Sequence, residues 1–341
     1  MANKIVLSLW STGLPEERLS RYLPPECGPG TVSPLAWCRG EDGLWLADLP
    51  LPRAGLAGLR EVLACCVLQT SDEYGYRFVL RYRTSAGERS GEVALDPVGT
   101  MSAPPGSGAV TTAGETQPVR AIIDLFEIRE PLAEAHLRLE VHAPAPALPP
   151  VLVSVSLRGQ PVPEAADEGD AVPGVALAVP PASQMDLPEE LAHRVCSPTC
   201  LAMVLAFHGR PHPVLEVVRQ TRHEPSGLYG VWPANLYAAS RLGLLGYLLH
   251  LPSWGAARWL LDRGLPLIAS VRFAEGELSG APIPRTDGHL VVVRGYRSDR
   301  VLVNDPAAAD EASVPRDYDR REFLEVWLER AAVGYVLLPP G

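Results

Sequence analysis

The run Arg194-Val195-Cys196-Ser197-Pro198-Thr199-Cys200-Leu201-Ala202-Met203-Val204-Leu205-Ala206-Phe207-His208-Gly209 reads as a helix with a cysteine set at its mouth. Pro198 suits a first helical turn, where its missing N–H costs nothing. Cys200, Val204 and Phe207 recur on one face at helical spacing, and Gly209 followed by Pro211 supplies a stop. A thiol at a helix N-terminus feels the positive end of the macrodipole, which favours thiolate. The thiolate is the nucleophile, so acyl-transfer chemistry would start at Cys196.

Downstream, helices are expected near 213–223 and over 232–243, the second with Pro near its start and Gly at its end. A strand over 244–251, an amphipathic helix over 253–263 and a buried strand over 266–273 follow. Two further strands carry polar residues that core packing does not require. The first is Asp287-Gly288-His289-Leu290-Val291-Val292-Val293-Arg294-Gly295-Tyr296, and the second is Val301-Leu302-Val303-Asn304-Asp305-Pro306. A hairpin centred near residue 299 brings His289 and Asp305 into one neighbourhood. A carboxylate beside an imidazole fixes the tautomer and supports imidazolium, which is what a general base needs. A helix around 321–330 and a strand over 333–338 close this half. If the cysteine helix packs its N-terminus against these strands, a Cys196–His289–Asp305 arrangement follows.

Upstream, residues 1–160 are strand-rich. Tyr76, Phe78, Leu80 and Tyr82 alternate with Arg77, Val79, Arg81 and Arg83. Leu137, Leu139 and Val141 alternate with polar neighbours, and Val151, Val153, Val155 and Leu157 put Ser154 and Ser156 on the opposite face. Alternation marks half-buried strands of an antiparallel sheet, and Pro/Gly-rich gaps such as Pro104-Pro105-Gly106-Ser107-Gly108 punctuate them. A β-sandwich-like domain is the reading. A partner or carbohydrate contact is the binding role such a domain would offer, although no aromatic cluster specifies one. His136 and His142 share a strand face and read as exposed polar residues rather than metal ligands. Cys65 and Cys66 point to opposite faces and read as packing. Between the halves, 161–175 is acidic and Pro/Gly-rich, with Glu164, Asp167, Glu168 and Asp170, and reads as a linker.

The 341 residues suit two domains. A net charge of −10 disfavours nucleic acid and anionic membrane as partners. None of the six cysteines forms a C-x-x-C, so a zinc ribbon or thioredoxin-type site is not expected, nor any metal. Cys27 and Cys38 could pair only in an oxidising compartment. The apolar run 5–10 is shorter than the core of a signal peptide, so a cytoplasmic location is expected.

Taken together, Ser183-Gln184-Met185, Cys196-Ser197-Pro198-Thr199, Leu201-Ala202-Met203-Val204-Leu205, Gly230-Val231-Trp232-Pro233-Ala234-Asn235, Asp287-Gly288-His289 and Val303-Asn304-Asp305-Pro306 resemble the C39-like cysteine peptidases of the papain-like clan. The motifs stand in the family's order over about 177–340. The resemblance implies an α+β, papain-like catalytic domain at 176–341 that needs no cofactor and takes a peptide or protein substrate. It implies Cys196 as nucleophile, His289 as base and then acid, and Asp305 as the group orienting His289. Gln184, with the backbone N–H of Cys196, would form the oxyanion hole. Trp232, Asn235 and Gly288 are the candidates to line the substrate cleft. Two departures stand out: many relatives carry Gly at the place of Ser197 and a small residue at that of Cys200. Cys200, one turn beyond Cys196, reads as buried packing. The reaction expected is cleavage of a peptide or amide through a thioester. An acyltransferase of the same fold and a silent scaffold remain the alternatives.

Overall fold

The computed structural model describes residues 6–28, 32–53, 55–86, 89–101, 117–159 and 174–340. Of the expected linker 161–175, residues 161–173 lie outside the described residues, as does the gap at 104–108, and Val175 already belongs to a strand. The described chain is a mixed α/β structure with many strands and few helices.

In the first half, the alternating segments form two sheets. One runs in the order 32–34, 6–12, 151–159, 59–68, 125–128, 119–122; the other runs 38–39, 45–50, 132–142, 75–84, 90–94, with 98–99 also paired to 75–84. Period-two alternation then decides what each face meets. Val62, Ala64, Cys66 and Leu68 share a core with Tyr76, Phe78, Leu80, Leu137 and Leu139 of the other sheet. The outer face of that other sheet is polar, with Arg77–Glu140 and Arg81–Glu92 at 2.6 Å and Arg83–Glu134 at 2.7 Å. Glu140 is itself buried, whereas the other two pairs are exposed and screened by solvent.

The expectation of a half-buried strand fails for Val151–Gly159. Ser154 and Ser156 are as buried as the valines, because the second half of the chain covers that face. Their hydroxyls accept the backbone N–H groups of Leu248 (3.2 Å) and His250 (2.9 Å), so the polar alternation is a docking surface rather than a solvent face. Leu63, Cys65, Val67 and Leu152 accordingly belong to the same apolar cluster as Leu201, Leu236 and Leu248. Further bonds stitch the halves: Tyr74 Oη to Ser240 Oγ at 2.8 Å, His250 to Glu61 at 3.1 Å, and Arg158 donating to the carbonyls of Arg330 (2.8 Å) and Ala331 (3.1 Å).

The second half is an antiparallel sheet in the order 246–250, 333–337, 267–273, 286–297, 300–304, 315–319. The incoming strand Val175–Ala176 pairs with Tyr296 and Gly295. A Cβ at Gly295 would lie 2.0 Å from the Val175 carbonyl oxygen, so only glycine lets the entering strand close there. Helix Cys196–Phe207 packs on strand Thr286–Arg297 and against helices Val214–Thr221 and Trp232–Arg241. It is buried from Ser197 through Leu205, not along one stripe only, because apolar elements surround it.

Candidate active site

The cysteine helix begins at Cys196 itself, which leaves the thiol on the first turn with the backbone N–H groups of that turn around it. The Cys196 thiol accepts from the N–H groups of Ser197 and Leu290 and faces the imidazole of His289. His289 Nε2 lies 2.8 Å from Asp305 Oδ1, so the contact with sulfur runs through Nδ1. Asp305 is held in turn: Tyr318 Oη donates to its Oδ2 at 2.7 Å and the N–H of Ala307 to its Oδ1 at 3.0 Å. The three expected side chains therefore meet, His289 and Asp305 being brought opposite by the hairpin that pairs Val292 with Asn304.

The electrostatics follow from this packing. Burial pushes the Cys196 thiol up, but the His289 imidazolium and the two N–H groups outweigh it, and the thiol ends below its ordinary value. Burial alone would lower His289; Asp305 and the Cys196 sulfur reverse this and raise it to about 10. Asp305 stays below the usual carboxylate range because His289, Tyr318 and Ala307 overcome its desolvation. Thiolate is then present above the lowered thiol value, and imidazolium persists until pH rises through about 10. Alkylation of Cys196 by iodoacetamide should set in at lower pH than that of an ordinary cysteine. In His289→Ala the onset should move upward, and an unshifted profile would contradict the coupling.

Cys200 is different: it is buried, its Sγ donates to the Leu290 carbonyl at 3.2 Å, and burial pushes its thiol well up. All six cysteines are free, with Cys27 buried and Cys38 exposed. Gln184 is buried in the short helix Gln184–Asp186, whose backbone N–H donates to the Pro306 carbonyl at 2.9 Å. Ser183 ties the same turn to the Ala308 carbonyl at 2.6 Å. The Gln184 backbone is thus tied to the loop leaving Asp305; the residue is not among those lining the Cys196 cleft, and its Oε1 has no partner among the described residues.

A cleft of about 440 Å³ opens on Cys196. Trp232 and Gly288 line it, with His193, Arg194, Leu228, Tyr229, Arg272 and Asp287 around them. Asn235 does not line it. Its side chain is fully buried, and its Nδ2 donates to the carbonyls of Tyr229 (2.8 Å) and Val231 (2.9 Å), so it braces the cleft loop from behind. Sequence reasoning missed three contributors. Tyr318 is placed on Asp305 by strand Pro315–Asp319, and no spacing announces it. Ile123 and Asp124 reach the cleft from the first half of the chain. Asp124 Oδ1 accepts the N–H of Trp232 at 2.8 Å, capping a helix whose own N-cap, Val231, offers no side chain. Burial pushes the Asp124 carboxyl up to about 7 against that N–H.

Residues 176–335 match the Peptidase_C39 like family. This part of the chain resembles the C39-like family. Among solved structures, a Bacillus anthracis protein described as a C39-like peptidase is 20% identical, with a TM-score of 0.40, over 49% of this chain and 98% of its own. A double glycine motif protease from an AMS/PCAT transporter, solved with the leader peptide, is 19% identical, with a TM-score of 0.34, over 49% of this chain and 99% of its own. No curated protein matches. The match to the C39-like family begins only after the strand-rich half ends. There, Tyr74, Tyr76, Phe78 and Phe126 are buried, so they offer no outer platform on which a sugar could stack. No helix among the described residues is long and apolar enough to cross a membrane.

Proposed function

We propose that the C39-like domain is a cysteine peptidase or amidase, preceded by a β-sandwich domain, acting on peptide or protein substrates. The observation that carries this reading is the chain of contacts from the Cys196 thiol through His289 to Asp305 at the mouth of an open cleft. Cys196 thiolate attacks the substrate carbonyl, and the tetrahedral intermediate places its negative oxygen near the start of the cysteine helix. The N–H of Cys196 and the Gln184 amide are the donors for that oxygen. His289 gives its proton to the departing amine, leaving a thioester on Cys196. His289 then takes a proton from water, the hydroxyl adds to the thioester, and the acid leaves as the thiolate and imidazolium reform. Asp305, fixed by Tyr318, keeps the ring in the tautomer that both steps need.

Mapping the adduct left by a peptidyl epoxide on the intact protein tests the assignment. Modification is expected on Cys196 and absent from Cys200; an adduct elsewhere, surviving Cys196→Ala, overturns it. Gln184→Ala should lower turnover by about 10²–10³-fold with a much smaller change in KM, as loss of one oxyanion donor does. Steady-state kinetics on a fluorogenic peptide would read both.

A further inference from the structure

The hairpin joining strands Val119–Ile122 and Leu125–Ile128 departs from ordinary turn chemistry. Ile122 pairs with Leu125, which leaves Ile123 and Asp124 as a two-residue loop. Ile123 has φ +28°, at a position where glycine is favoured and a β-branched side chain crowds its own backbone. Its side chain is also 41% exposed; Ile122 (36%) and Leu228 (42%) are the other exposed large apolar residues among those described. Ile123 and Leu228 both line the cleft that holds Cys196. Backbone strain and exposed apolar surface are both costs, and at Ile123 neither is offset by core packing. Such costs concentrate where a ligand is met. The turn is anchored there as well, through the bond from Trp232 to Asp124.

We propose that Ile123 and Leu228 are the two jaws of a substrate-selecting clamp, one from each half of the chain, that receives an apolar side chain of the bound peptide. The inference rests on the peptidase reading and adds a substrate class to it. Around the clamp, Arg194 donates to the Gly227 carbonyl and Arg272 to the Asp287 carbonyl, and the Asp124 carboxyl is held on the Trp232 N–H, so each of these charged groups is already engaged by the protein. An apolar side chain gains contact with both jaws and removes their surface from water. Selectivity then lies partly in a residue outside the C39-like domain.

The test uses the full chain and follows alkylation of Cys196 by iodoacetamide and by paired dipeptidyl epoxides carrying Leu or Ser at each position in turn. With rates normalised to iodoacetamide, Leu is expected to outrun Ser about tenfold or more at one position. Ile123→Gly relieves the positive φ and leaves the Asp124–Trp232 bond available. It should bring that ratio within about twofold while the thermal midpoint stays level or rises. Leu228→Ser should reduce the ratio from the opposite jaw. A Leu preference that survives both substitutions overturns the clamp. So does a wild-type protein whose Cys196 reacts with iodoacetamide but shows no preference at any position. A Cys196 inert to iodoacetamide overturns the peptidase reading, and the clamp with it.

Discussion

Cys196→Ala should lower peptide cleavage by about 10⁴–10⁶-fold, because the groups around the sulfur act as one unit and fail together. The comparison that gives this result meaning is Cys200→Ser. Cys200 is fully buried, holds its proton tightly and spends it on the Leu290 carbonyl. Its replacement should change turnover by less than about tenfold, whatever it does to stability. His289→Ala should approach the Cys196→Ala loss, since it removes both the proton acceptor and the cation that favours thiolate. Kinetics on the purified variants decide the matter. Cleavage by Cys196→Ala within about tenfold of wild type would mean that another group carries the reaction.

The second large effect concerns the halves themselves. Residues 176–341 expressed alone should not yield a cooperatively folded domain. Leu7, Leu9, Leu19, Leu63, Val67 and Leu152 of the first half share an apolar cluster with Leu201, Leu236 and Leu248 of the second. In the other direction, Val231, Ala234 and Tyr237 pack into the core between the first two sheets. Burial of each large side chain stabilises by roughly 1.5–3 kcal/mol. Four or five such side chains match the whole stability of an ordinary domain, about 5–15 kcal/mol. The cut would also strip partners from Leu248, His250 and the Arg330–Ala331 carbonyls. Circular dichroism and thermal melts of the fragment check this. A sharp transition within a few degrees of the intact chain would show that the shared cluster is dispensable.

The sequence revealed most about features whose chemistry is local. Cys196 beside Pro198 marks a helix start, and His289 and Asp305 sit on strands joined by a short turn, so their meeting follows from hairpin geometry. Tyr318 was invisible because its place on Asp305 depends on pairing with Val301, a register that an isolated tyrosine does not announce. Asn235 was misplaced for a related reason. The motif puts it near the cleft, but helical rotation turns its side chain inward to the carbonyls of Tyr229 and Val231. Alternation places Ser154 and Ser156 on the face opposite the valines, but it reports which residues are polar, not what covers them. Ile123 and Asp124 escaped altogether, since their neighbours at the cleft come from more than 60 residues away along the chain.

Cys65 and Cys66 stand next to each other, yet they belong to different interiors: Cys65 to the cluster shared with the C39-like domain, Cys66 to the one between the two first-half sheets. Their thiols are therefore a pair of internal clocks. A reagent cannot touch Cys65 until the second half of the chain swings off, nor Cys66 until the two first-half sheets separate. The order in which neighbouring sulfurs become reactive would record which seam of the molecule opens first.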